Sequence, residues 1–174
     1  MNISKVLLNV VSLATIWLAA KASAQVPLAI TVRDATVITT LHAEGAQIYE
    51  CKSFAGKSPS EVGTLTWQFR EPIATLIVDG KSVGRHYAGP NWEHIDGSAV
   101  KGKVNVSVPG PTSSDIPWLE LEVVDHRKDG ILSAATTIQR VNTKGGLAQG
   151  SCESEGKLLS VPYAADYVFL RKGT

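Results

Sequence analysis

The densest chemistry in the 174-residue sequence lies in His86-Tyr87-Ala88-Gly89-Pro90-Asn91-Trp92-Glu93-His94, followed by Asp96-Gly97. Two imidazoles and two carboxylates this close in sequence could move protons or hold a metal ion. Tyr87 and Trp92 could stack on a sugar or another planar ligand. His86, Tyr87, Trp92, Glu93, His94 and Asp96 are therefore the candidate ligand-binding residues. Pro90 fixes one φ angle and Gly89 permits unusual ones, so the stretch can hold a defined turn. On an extended chain Trp92 and His94 share one face, and Glu93 takes the other. Glu93 and His94 would then reach one pocket only if the chain bends, and His86 would join His94 only across a hairpin. The same residues also suit a structural turn, with Tyr87 and Trp92 in the core.

Other motifs offer less. Gly80-Lys81-Ser82-Val83-Gly84 matches the G-x-S-x-G pattern of a nucleophile elbow, but the residues after it form no helix. It reads as a turn. No G-x-G-x-x-G, Walker or H-E-x-x-H sequence occurs, so neither a cofactor nor a resident metal is expected. Asn105-Val106-Ser107 is a glycosylation sequon set in a strand. The 17 basic and 16 acidic residues give a formal charge of +1. The basic residues are not interleaved with aromatics, so nucleic acid is not an expected partner. A small molecule or a glycan is.

The elements that must position these groups begin after residue 24. Lys5, the apolar run Val6 to Ala20 and the Ala22-Ser23-Ala24 cleavage signal make residues 1–24 a secretory signal peptide. Residues 25–174 then form a single domain, periplasmic or extracellular, with no integral membrane segment after cleavage. Removing Lys5 and Lys21 leaves 17 − 2 = 15 basic against 16 acidic residues, a charge of −1. Cys51 and Cys152 are the only cysteines. In an oxidising compartment such a pair reads as a disulfide rather than a redox or metal site.

Period-two patterns dominate this part of the chain. Leu65, Trp67 and Phe69 alternate with Thr64, Thr66 and Gln68. Val104, Val106 and Val108 alternate with Asn105 and Ser107. Leu119, Leu121 and Val123 alternate with Trp118, Glu120 and Glu122. Each places an apolar set on one face of a strand. Ile73 to Val78 reads as a strand covered on both faces. Gln47 to Phe54, Ala134 to Val141 and Tyr167 to Leu170 also read as strands. Asp79-Gly80, Asp96-Gly97, Asp129-Gly130 and Gly145-Gly146 supply turns, and Pro109-Gly110-Pro111 ends a strand. Gly110 to Pro117 is the expected mobile loop. One short helix is expected over Asp34 to Ala43, where Val37, Ile38 and Leu41 fall at helical spacing. In the Ile138 to Thr143 strand, alternation puts Arg140 with Ile138 and Asn142. A buried Arg140 would need a carboxylate, from Glu93, Asp96 or Asp166.

Several stretches occur in one order: Gly45 to Cys51, Trp67-Gln68-Phe69, His86 to Glu93, Asp96-Gly97-Ser98, Ile116 to Leu119, Ile138 to Gly146 and Val161 to Tyr167. Through them the chain resembles the domain of unknown function 3455 family, an uncharacterised secreted family of bacteria and fungi. The resemblance runs from about Leu28 to Leu170. It implies a single exported domain, and it brings no catalytic residues and no established activity. A malate dehydrogenase label attached to some relatives is not adopted, because a dinucleotide fingerprint is absent.

The expected fold is mainly β: an antiparallel sandwich or barrel, single-domain, with one disulfide and at most one short helix. The favoured function is a non-catalytic ligand-binding or envelope-associated module. The alternative is a small secreted hydrolase or lyase using the His86–His94 loop, with or without a metal.

Overall fold

The computed structural model describes residues 25–54 and 64–173. The proposed signal peptide, residues 1–24, lies outside them. Eight antiparallel strands follow one another: β1 (Ala35–Phe54), β2 (Thr64–Val78), β3 (Lys81–Tyr87), β4 (Asn91–His94), β5 (Ala99–Val108), β6 (Trp118–Arg127), β7 (Thr137–Gly145) and β8 (Leu158–Lys172). Each pairs with the next, and β8 pairs with β1, so the sheet closes into a barrel. Every strand thus has two neighbours, but the short β3 and β4 cover only part of theirs: β3 pairs β2 from Ala74 to Val78, and β4 pairs β5 from Ala99 to Lys101. The one helical element among the described residues is a single 3-10 turn, Leu28–Ile30. None of their helices is long and apolar enough to cross a membrane.

The expected helix over Asp34 to Ala43 is instead the start of β1, paired with β8 from Ala35 and with β2 only from His42 onward. Thr36, Val37, Ile38, Thr39 and Thr40 are a β-branched run, and branching at Cβ suits the pleated sheet better than the helix. Beyond it Leu41 and Ala43 are buried, alternating with His42 and Glu44. Period two prevails over the incidental helical spacing.

Three further expectations change in detail. Ile73 to Val78 is not covered on both faces: Ala74 and Leu76 are buried, and Ile73 and Thr75 are exposed. The three valines of β5 do not share a face. The register against β6 shifts between Val104 and Val106, so Val104 lines the interior while Val106 and Val108 pack outside. A bulge adds one residue and moves every later side chain to the opposite face. The strand read over Ala134 to Val141 begins and ends three and four residues later, at Thr137–Gly145.

The Asp-Gly pairs behave as their chemistry dictates. Asp79 and Gly80 both have positive φ, 50° and 72°, in the two-residue turn joining β2 to β3. That turn absorbs the start of the G-x-S-x-G sequence, and β3 rather than a helix follows it. Gly110 to Pro117 is a loop, but a tied one. Asp115 accepts from the Thr112 N–H at 3.0 Å and the Thr112 hydroxyl at 2.7 Å, and its other oxygen accepts from the Gly145 N–H at 2.6 Å.

The interior core gathers Leu41, Leu76, Val100, Leu132, Ile138 and Phe169, with Trp92 and Tyr167 above them. A second, smaller cluster lies on the outer wall. There Ile30 and Val26, from the segment before β1, cover Trp118, Val141, Val106, Val108 and Val168. Gln139 on the same wall donates its side-chain N–H to the Ile30 carbonyl. This explains why both faces of β7 are buried near Gln139.

Candidate functional site

β3 and β4 form the hairpin that the chemistry-rich stretch required, and its register sorts the candidate residues. His86 faces Trp92, Arg85 faces Glu93, Tyr87 faces Asn91 and Gly84 faces His94. His86 and Trp92 point into the barrel, stacked with centroids 4.4 Å apart and planes 10° from parallel. Tyr87 and Glu93 lie on the outer wall. There Arg85 donates to Glu93 at 2.9 Å, the Tyr87 hydroxyl donates to the same carboxylate oxygen at 3.3 Å, and Arg127 donates to the Tyr87 oxygen at 2.9 Å. The Arg85 guanidinium holds the Glu93 carboxyl below its usual range.

His94 and Asp96 sit at one end of the barrel, in the turn to β5. His94 Nδ1 lies 3.1 Å from Asp96. One Asp96 oxygen accepts from the Ser98 N–H at 2.8 Å and hydroxyl at 2.6 Å, and the other accepts from the Ile131 N–H at 2.8 Å. Burial would raise this carboxyl, but the hydrogen bonds from Ser98 and Ile131 outweigh it and hold it well below the carboxylate range. A Cβ on Gly130 would lie 2.6 Å from that carboxylate, so only glycine lets the β6–β7 connection approach. Leu132 and Ala135 of that connection are fully buried and plug this end.

The six candidates thus occupy three places: the interior, the outer wall and the plugged end. The hairpin forms, yet it sets His86 opposite Trp92 rather than His94. Among the described residues no group of three or more His, Cys, Asp or Glu side chains gathers to hold a metal ion.

The other end of the barrel is open among the described residues. It leads into a cavity of about 420 Å³. On its wall His86, Trp92, Tyr167 and Leu121 are buried, while Phe69 and Val104 are half-exposed. A bulge at Arg70, where Tyr49 pairs with Phe69 but Ile48 with Glu71, lets Phe69 and Pro72 both face inward. Phe69 meets the Tyr49 ring edge-on at 5.9 Å. Cys51 and Cys152 are bonded, with Cα atoms 5.9 Å apart. The bridge, with backbone bonds Cys51 N–H to Lys157 and Gly156 N–H to Cys51, fastens the long β7–β8 connection to β1. That connection carries Leu147 and Gly146, and the Gly146 carbonyl accepts from the Tyr49 hydroxyl at 2.8 Å.

The polar groups in this apolar wall are few. His86 Nδ1–H donates to the Asn91 carbonyl at 2.8 Å, which leaves the lone pair on Nε2. Burial pushes its pKa down to about 3, so the ring is neutral. Burial likewise raises the Tyr49, Tyr163 and Tyr167 hydroxyls, which stay protonated. Arg140 reaches the cavity from β7, and its Nε–H donates to the Pro117 carbonyl at 3.0 Å. The expected carboxylate partner is absent. Glu93 is on the outer wall, Asp96 at the plugged end, and Asp166 is engaged by His42 at 2.7 Å and Asn142 at 2.8 Å. Among the described residues no carboxylate pairs with Arg140.

Gln47, Tyr49, Phe69 and Tyr167 were absent from the candidates drawn from sequence. A signal existed in β1, because Gln47 and Tyr49 share the inward face of Cys51. A polar amide at an inward position of a barrel strand marks either a paired core group or a cavity wall.

Residues 77–171, just over half of the chain, match the family model described as Protein of unknown function (DUF3455). That span holds β3 to β8, and the residues quoted above from Gly45 to Phe69 lie outside it. No curated protein and no solved structure matches the chain.

Proposed function

The chain belongs to this family of proteins of unknown function, and from that premise we propose that it is an exported, non-catalytic barrel that binds an apolar small molecule in its open end. The observation that carries the reading is the cavity itself. A barrel of eight strands is just wide enough either to be filled by side chains or to hold one small ligand. Here the same interior does both, filled at one end and hollow at the other. The cavity falls within the ~300–1,000 Å³ of small-molecule sites, and such sites are mostly apolar with a few placed polar groups. By the scale of a ~150 Å³ void that accepts benzene, it has room for roughly 15 non-hydrogen atoms.

The wall argues against a glycan, whose ring hydroxyls would need many polar partners. The hydrolase or lyase alternative rested on the His86–His94 loop, whose acidic and basic groups face three different ways. Export is supported by the leader pattern in residues 1–24 and suits the disulfide.

The test is thermal denaturation of the oxidised protein with 1-naphthalenemethanol, 1-naphthamide and 1-naphthoate. A ligand at about 100 times its Kd adds ~2.7 kcal/mol, which raises Tm by several degrees. Val104→Trp, at a half-exposed position on the cavity wall, should abolish the shift with little change in Tm. No shift with any probe, or an equal shift in Val104→Trp, overturns the reading.

A further inference from the structure

Building on that binding reading, we infer that the cavity selects a monocarboxylate with an apolar body, its carboxylate received by the Arg140 guanidinium. Arg140 is half-buried, and its neighbours are Tyr167, Tyr163, Tyr49 and His86. All four are neutral. A guanidinium withdrawn from water and left without a carboxylate is an unfavourable arrangement for the protein alone. It becomes favourable when an anion arrives. The Nε–H bond to Pro117 fixes the plane of the fork, the Tyr167 hydroxyl also accepts from Arg140, and among the described residues no carboxylate engages the terminal nitrogens. Two parallel N–H groups match the two oxygens of a carboxylate.

Independent observations point the same way. Gln47 is 2% exposed and lines the cavity, and its Nε2 has no partner among the described residues. Trp92, 1% exposed, also lines the cavity, and its Nε1 is likewise unpartnered. Buried donors without acceptors are rare in folded proteins, because each has lost its water without replacement. Amide and indole N–H groups both lack an acceptor here, and an oxygen-rich ligand would supply one.

Charge count selects a monoanion. His86 is neutral, so it does not add a second cation. Arg70 at the mouth is already held by Glu71 at 3.3 Å. Among the described residues of the wall Arg140 alone remains, and a phosphate dianion would leave one charge uncompensated there. The rest of the wall, from Trp92 and Leu121 to Phe69 and Val104, accommodates the apolar body.

The experiment is isothermal titration of the oxidised protein with two head-group pairs, 1-naphthoate against 1-naphthamide and decanoate against decanamide. Within at least one pair, the carboxylate should bind about tenfold tighter than the amide, the gain of a charge-assisted fork. Arg140→Met should bring that ratio to about one while the amide still binds. Gln47→Leu should lower it several-fold. Should Arg140→Met fail to fold, Arg140→Lys serves, because it keeps the charge, loses the fork and should still reduce the ratio. Equal binding of carboxylate and amide in both pairs overturns this inference and leaves the binding reading standing. A preference that persists undiminished in the Arg140 variants also overturns it. If none of the four compounds binds, the binding reading falls with it.

Discussion

At both ends of the barrel a carboxylate ties loops together. What the tied loops carry differs. At the plugged end Asp96, in the β4–β5 turn, accepts from Ile131 of the β6–β7 connection, and Ser98 Oγ accepts from the Leu132 N–H at 3.2 Å. These bonds cross from one loop to another and draw Leu132 and Ala135 into the interior. At the open end Asp115 bonds Thr112 of its own loop and Gly145 at the end of β7, and Leu147 N–H donates to Ser114. The disulfide fastens the same connection to β1. Those ties tether the β5–β6 and β7–β8 loops to each other and to the barrel wall, and the mouth stays open. An acidic hub therefore closes a barrel end only when the loop it captures carries apolar residues aimed inward.

The contrast predicts that substitutions at the filled end cost stability, while those at the hollow end cost binding. Phe169, fully buried in the filled half, should show the largest effect. Phe169→Ala should destabilise by about 4 kcal/mol in chemical denaturation. A loss under ~1 kcal/mol would mean that the interior there is not close-packed. Asp96→Ala should cost about 2 kcal/mol by removing charge-assisted bonds to Ser98 and Ile131. The depressed Asp96 carboxyl gives stability present above its unfolded pKa near 4 and lost as pH falls below it. The variant should lack that acid-side loss.

His86 marks the boundary between the halves. Its folded pKa near 3 lies below the unfolded value of 6.5. The unfolded chain therefore takes up the proton first, and stability complete above about pH 6.5 falls by ~1.4 kcal/mol per pH unit on acidification toward pH 4. Denaturation of His86→Phe across this range should show a shallower slope. The smallest effect belongs to the hollow end. Arg140→Met breaks no ion pair but loses the bond to the Pro117 carbonyl, so it should cost about 1 kcal/mol. A large loss would reveal a structural role instead.

Much of the barrel could be read from residue pattern. Alternation marked the strands, Asp79-Gly80 and Asp96-Gly97 marked turns, and an isolated cysteine pair following an expected leader marked the bridge. Bulges defeated the pattern, because a slip at Arg70 or Asn105 exchanges inside for outside without a change of residue type. The start of β1 was misread for a related reason: its buried face emerges only once its neighbours pair with it. The candidate site suffered most. Nearness in sequence gathered six residues that a hairpin must scatter, since neighbours on a strand point apart. The cavity draws instead on strands distant in sequence, and Arg140 was weighed for a carboxylate within the protein rather than one brought by a ligand.

The seam between β1 and β8 has a consequence in time. It pairs Ala35 with Lys172 and Glu50 with Leu158, residues near opposite ends of the described chain. Contacts so distant along the chain are slow to form, because the entropy of closing the intervening loop is lost before the pairing repays it. Until that last zip closes, β1 and β8 are open edges able to recruit another chain. Arg140 belongs to β7, the neighbour of β8, while Gln47 belongs to β1. The groups inferred to share a ligand's head thus meet only once that seam has zipped.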